Sequence, residues 1–167
     1  MNQALRNTAI FIRDLLNYDE SLIRIGRQNT EITDFTIGYI GVDTIGAAQR
    51  LASGEQYDGT AEVMGYQQQW RAPVTLSFYG DDAWARAQEF ALRIQSQPSL
   101  ELQESLGISV YQAGQLTDVK ILTGQQYGER YELALNVQYS TTVDVGTLRI
   151  DTEQISLISE KGQEIQP

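Results

Sequence analysis

Glu129-Arg130-Tyr131-Glu132-Leu133-Ala134-Leu135-Asn136-Val137-Gln138-Tyr139 is the stretch whose reading decides the fold. Tyr131, Leu133, Leu135, Val137 and Tyr139 alternate with Arg130, Glu132, Ala134, Asn136 and Gln138, and successive side chains of a strand point to opposite faces. One face is built for a core and the other for water or a polar partner, as in an antiparallel sheet solvated on one side.

Upstream, Val74, Leu76 and Phe78 alternate with Thr75, Ser77 and Tyr79 up to Gly80-Asp81-Asp82, where the period changes from two to that of a helix. Two carboxylates there suit a helix N-terminus, and a helix is predicted over Ala83 to Gln95. Ala83, Ala87, Phe90 and Ile94 form its apolar stripe, with Trp84 and Ala91 beside it, and Arg86, Glu89 and Arg93 an outer charged stripe. Pro98 opens a shorter helix carried by Leu102 and Leu106 and ended by Gly107. Strands follow at Ile108 to Tyr111 and Val119 to Leu122, then a turn from Gly124 to Gly128. Past the long strand, Thr147 to Asp151 alternates again, and residues 159–167 read as a polar tail.

At the other end, Leu5, Ala9, Ile12 and Leu16 share one helical face, which predicts a helix from Ala4 to Leu16, capped by Asn2 and stopped near Asn17. A polar turn over Asn17 to Glu20 leads to the apolar patch Leu22-Ile23-Arg24-Ile25-Gly26, and Phe35 to Ile40 reads as a half-buried strand. The small residues and turn pairs of segment 41–59 predict a loop-rich excursion. Thr60 to Tyr79 returns to sheet, interrupted at Gln67-Gln68-Gln69, with Pro73 expected at an edge, a bulge or a strand start. The order helix, strands, helix, short helix, strands predicts an α+β domain over residues 1–158. Its antiparallel or mixed sheet carries the N-terminal helix and the second, central helix on one face.

Composition narrows the chemistry. The 167 residues carry 12 basic and 22 acidic side chains, a formal charge of −10, and neither His nor Cys. That excludes a Ser-His-Asp triad, a thiol nucleophile, a zinc-finger spacing and an imidazole base. Outnumbered cations argue against a sequence-neutral grip on nucleic acid. Lys120 and Lys161 are the only lysines; the other ten positive charges are Arg, the residue suited to fixed interface contacts. No apolar run reaches the roughly 18 residues of a membrane span, and no signal-peptide blocks open the chain, so a chain that is neither membrane-borne nor exported is expected.

Carboxylates are the acid/base groups that remain. Asp81-Asp82 and the pair Glu101 and Glu104 are better explained by helix capping and solvation than by catalysis. Asp43, Asp58, Asp118, Asp144 and Asp151 fall in no Asp-x-Asp-x-Asp-Gly loop, and Gly38-x-x-Gly41 lacks the Lys-Ser/Thr of a phosphate cradle; neither metal nor cofactor is expected. Tyr66, Trp70, Tyr79 and Trp84 lack the surrounding positive charge of a base-stacking platform and read as core or protein interface. A candidate subunit interface remains, comprising Arg71, Arg86, Arg130, Trp70 and Tyr79.

Three stretches together resemble the tail terminator, or neck terminator, proteins of long-tailed bacteriophages. They are the opening amphipathic helix Ala4 to Leu16 with its following strand, the strand-glycine-helix junction from Val74 to Ala87, and Gly107-Ile108-Ser109-Val110 followed by the arginine-led strand Glu129 to Tyr139. The resemblance implies a non-enzymatic virion protein, a homohexameric ring at the head-proximal end of the tail. Such a ring ends tube polymerisation and joins the tail to the neck. Its implied neighbours are the tail tube, with the sheath protein as a further candidate, and a neck or head-completion protein; DNA passes without tight binding. Alternatives are a head-tail joining or tail completion protein at another position, and a carboxylate-based, metal-dependent enzyme or ligand-binding domain.

Overall fold

The computed structural model describes residues 3–26, 38–44, 46–119, 121–123, 126–147, 157–158 and 164–165. In chain order the elements are α1 (Gln3–Leu16), a 3-10 turn (Glu20–Leu22), β1 (Ile23–Ile25), β2 (Tyr39–Thr44), β3 (Gln49–Asp58) and β4 (Val63–Tyr79). Then come α2 (Ala83–Arg93), α3 (Gln97–Leu106), β5 (Ile108–Gln112), β6 (Thr117–Asp118), β7 (Ile121–Thr123), β8 (Gln126–Gly128), β9 (Arg130–Gly146), β10 (Leu157–Ile158) and β11 (Glu164–Ile165).

The main sheet has seven strands along the path β1-β2-β4-β9-β5, with β3 also paired to β4 and β6 to β9. It is mixed: β1 runs parallel to β2, whereas β2 with β4 and β5 with β9 are antiparallel. Only four residues separate β3 from its partner β4, which makes that pair a hairpin, because a parallel return needs a dozen or more. The α+β class with a mixed sheet is as the order of elements along the sequence predicts.

The core lies on one face of this sheet. Ile40 stands opposite Phe78, Val42 opposite Leu76, and Val110 opposite Val137, all buried. Onto them pack Leu5, Phe11, Ile12 and Leu15 of α1 and Ala83, Ala87, Phe90 and Ile94 at α2, so both helices sit on this side. Phe90 joins the layers, with Phe11 at a ring separation of 6.3 Å and Phe78 at 6.1 Å. The α1 stripe is rotated from expectation: Phe11 and Leu15 are buried, while Ala9 and Leu16 are only partly so. Gly80 turns β4 into α2 with φ of 94°, a left-handed conformation that a side chain would strain.

Several expectations need correction. Segment 41–59 is two strands rather than a loop-rich excursion. Every residue of β3 is exposed, so its strand state comes from pairing with β4 and leaves no period-two signal. Gln67-Gln68-Gln69 does not interrupt β4, which runs 17 residues without a break; the Gln68 amide instead donates to the Ala52 carbonyl across the hairpin at 2.7 Å. Pro73 is interior to that strand, at the seam before Val74, where the β2 register begins. The Asp82 side chain makes no cap hydrogen bond to α2. At α3 the buried residues are Ser99 and Gln103, with Leu102 and Leu106 partly buried. Glu164–Ile165, in the segment read as a tail, pairs with Leu157–Ile158. Asn2, Phe35 and Ile37, Gly124 and the alternation over Leu148 to Asp151 lie outside the described residues.

By contacts the chain divides into two compact units. One comprises residues 1–53 and 68–141, with the helices and the core; the other comprises 54–67 and 142–167. The turn-proximal parts of β3 and β4 and the end of β9 belong to the second.

Candidate functional site

Strand alternation places one residue type after another on the sheet face away from the helices. Tyr39 stands directly opposite Tyr79, and in the next row Arg24 is opposite Gly41, itself opposite Ser77. The Tyr39 and Tyr79 rings stack at 4.1 Å with 12° between planes. Arg24 lies over Tyr39 at 5.1 Å and Arg130 over Tyr79 at 5.3 Å. An Arg-Tyr-Tyr-Arg ladder thus crosses β1, β2, β4 and β9, one residue per strand. Stacked rings contribute about 0.5–1.5 kcal/mol beyond burial, and each guanidinium over a ring about 0.5–1 kcal/mol where partly exposed.

Arg130 also pairs with Glu132 on its own strand, and its Nη2 donates to the Ser77 hydroxyl at 3.3 Å. Burial pushes the Tyr39 phenol well above its ordinary value; the neighbouring Tyr79 adds to this, and Arg24 and Arg130 pull the other way. Not every donor on this face is used. Among the described residues, Arg24 Nη1, the Tyr39 hydroxyl, Arg71 Nε, the Thr75 hydroxyl and Arg130 Nε on this face are buried without a hydrogen-bond partner.

The five residues singled out from sequence divide. Arg71, Tyr79 and Arg130 lie on this polar face by strand alternation. Trp70 has the opposite parity, and its indole N–H donates to the Thr141 hydroxyl at 3.0 Å. Arg86, expected on an outer charged stripe, turns inward: Nη2 donates to the Tyr79 carbonyl at 2.7 Å, and the guanidinium lies 5.7 Å from the Tyr18 ring centre. A Cβ on Gly38 would come within 2.6 Å of that guanidinium, so glycine there admits the arginine. Glu89 and Arg93 do form the outer pair, at 2.7 Å. Sequence reasoning missed Arg24 and Tyr39. The available signal was Arg24 between Ile23 and Ile25, a three-residue alternation too short to stand out.

The carboxylates are scattered. Asp81, Asp82, Glu101 and Glu104 are all exposed, and Glu101 accepts from the Gln97 amide one turn away at 3.2 Å. Among the described residues no group of three or more acidic side chains is placed to hold a metal ion.

A sheet face on which arginine, tyrosine and unpaired donors are spread over four strands is chemistry suited to surface recognition. The family model described as "phage neck terminator protein" matches residues 7–161, nearly the whole chain. The chain belongs to that family, and its role is structural, in the phage tail and neck. Comparison with curated proteins gives no match.

Proposed function

We propose that this chain forms a closed ring, of six copies, at the head-proximal end of a phage tail. There it ends tail-tube polymerisation and joins the tail to the neck. The observation that carries the reading is that the chain has two unlike patches, the polar sheet face with its partly buried arginines and the fully exposed strand β3. A cyclic assembly uses two unlike patches per subunit, one meeting the other on the next copy. Arg71, Tyr79 and Arg130, with Arg24, form one patch; Trp70 and Arg86 are engaged within the chain and support the strands that present it. The tail tube, the sheath protein and a neck or head-completion protein are the proposed neighbours, within the virion. No enzymatic step is part of this role.

Negative-stain images of isolated tails, with the protein located by a specific antibody, test the position. Label at the head-proximal tip is the expected result. Label along the tube or at the distal end would place the protein elsewhere in the particle. A joining or completion role at another position would show label only on heads or on completed particles.

A further inference from the structure

Both units are net acidic, but acid is denser in the smaller one. Residues 54–67 and 142–167 hold eight acidic and two basic side chains, whereas ten of the twelve basic residues lie in the other unit. Over 54–67 and 142–147 the acids are Glu55, Asp58, Glu62 and Asp144, with no Lys or Arg. This surface is also apolar where it should be wet: Tyr57 is 47% exposed and Val143 62%. A shallow groove of about 740 Å³ lies on it, lined by Gly54, Gln56, Asp58, Gly65, Thr142 and Asp144 among others. The described part of this unit is thus an acidic hairpin with exposed aromatic and aliphatic side chains.

The polar sheet face offers the complement. Arg24, Arg71 and Arg130 each keep a buried nitrogen without a partner, and Thr75, only 8% exposed, keeps an unpartnered hydroxyl on the same face. Those atoms are closed to solvent in the single chain, but the three arginines that carry them are only partly buried, so their guanidinium groups still present positive charge and donors at the surface of this face. Of the carboxylates nearby, Glu132 is paired with Arg130, and Asp43 is exposed, one of its oxygens accepting from the Thr44 N–H at 2.7 Å. A planar guanidinium is well matched to a carboxylate supplied from outside.

We propose that the acidic β3–β4 hairpin of one copy docks on the polar sheet face of the next. Glu55 and Glu62, with the second oxygen of Asp58, whose Oδ1 accepts from the Thr60 and Ala61 N–H groups at 2.8 and 3.2 Å, then accept hydrogen bonds from Arg24, Arg71 and Arg130, and Tyr57 covers apolar surface beside them. The hairpin and the face are different patches, so the contact is head-to-tail and repeats around a closed assembly. This rests on the ring reading above and names the contact that builds the ring.

The experiment uses two full-length variants. One reverses the hairpin, with Glu55→Lys, Asp58→Lys and Glu62→Lys, all exposed positions; the other reverses the face, with Arg24→Glu and Arg71→Glu. Each alone should need ~tenfold or higher concentration to assemble, as close charge pairs across an interface are broken. Mixed in equal amounts they should recover assembly, because each supplies the patch that suits the other. If the face variant misfolds by circular dichroism, the absence of cysteine provides a second measurement. With Asp58→Cys and Asp43→Cys in one chain, a short bismaleimide should give a ladder of covalent multimers on a denaturing gel. Assembly of the hairpin variant at wild-type concentration, or a cross-linked monomer without a ladder, overturns the docking while leaving the ring intact. A hairpin variant that forms rings but fails to join tails would assign the hairpin to a neighbouring virion protein, and also overturns it. A wild-type chain that is monomeric both in solution and in tails overturns the ring reading itself.

Discussion

Tyr39 shows how a single residue ties this sheet face to pH. Its folded pKa is raised above the ordinary value of about 10, so the native state holds the phenol proton more tightly than the unfolded chain does. The stabilisation is therefore complete below about pH 10 and is lost as pH rises beyond that. Denaturant titrations from pH 8 to 11 should show falling stability in the wild type and a shallower fall in Tyr39→Phe; parallel slopes would contradict it. Arg130 and Glu132, whose side chains are 27% and 29% exposed, form a partly buried pair. A double-mutant cycle with Arg130→Ala and Glu132→Ala should give a coupling of about 1 kcal/mol, at the upper end of the range of exposed pairs. Coupling near zero would mean that the Arg130–Glu132 contact contributes nothing to the fold.

Between α3 and β5, a buried polar relay accompanies the apolar packing of Leu102 and Leu106. Gln103 Oε1 accepts from the Val110 N–H at 2.6 Å, its amide donates to Ser99 Oγ at 3.0 Å, and Ser99 donates to the Ile94 carbonyl at 2.6 Å. Val110 is on the outer strand of the sheet, and Gln103 satisfies a backbone group there that has no further strand to meet. Gln103→Leu should destabilise by about 1–3 kcal/mol despite its better packing chemistry, because that N–H is left buried and unpaired. Chemical denaturation checks it, and an unchanged midpoint would show that the N–H finds another acceptor. Strands and helices that alternate burial, such as β9, the second half of β4 and α2, were legible from sequence because the core writes its period into them. The fully exposed β3 carries no such period, and Gln103 reads as a solvated residue until β5 is placed beside it. The Arg-Tyr-Tyr-Arg ladder joins residues as far apart as 24 and 130, a juxtaposition set by strand order rather than by local pattern.

Taken whole, the molecule carries ten excess negative charges, and both of its units are net acidic. A ring of such subunits multiplies that charge, and phosphate is repelled within a Debye length of about 8 Å at physiological salt. Filter binding at low salt should detect no micromolar complex with duplex DNA, and such a complex would refute passage without grip. The central claim is a closed assembly built from one chain. Native mass spectrometry of the purified protein tests it most directly. The account predicts a discrete species at six times the 18.7 kDa of one chain, growing with concentration at the expense of smaller species. A spectrum of monomer alone across all accessible concentrations, joined by an absence of rings in isolated tails, would contradict it.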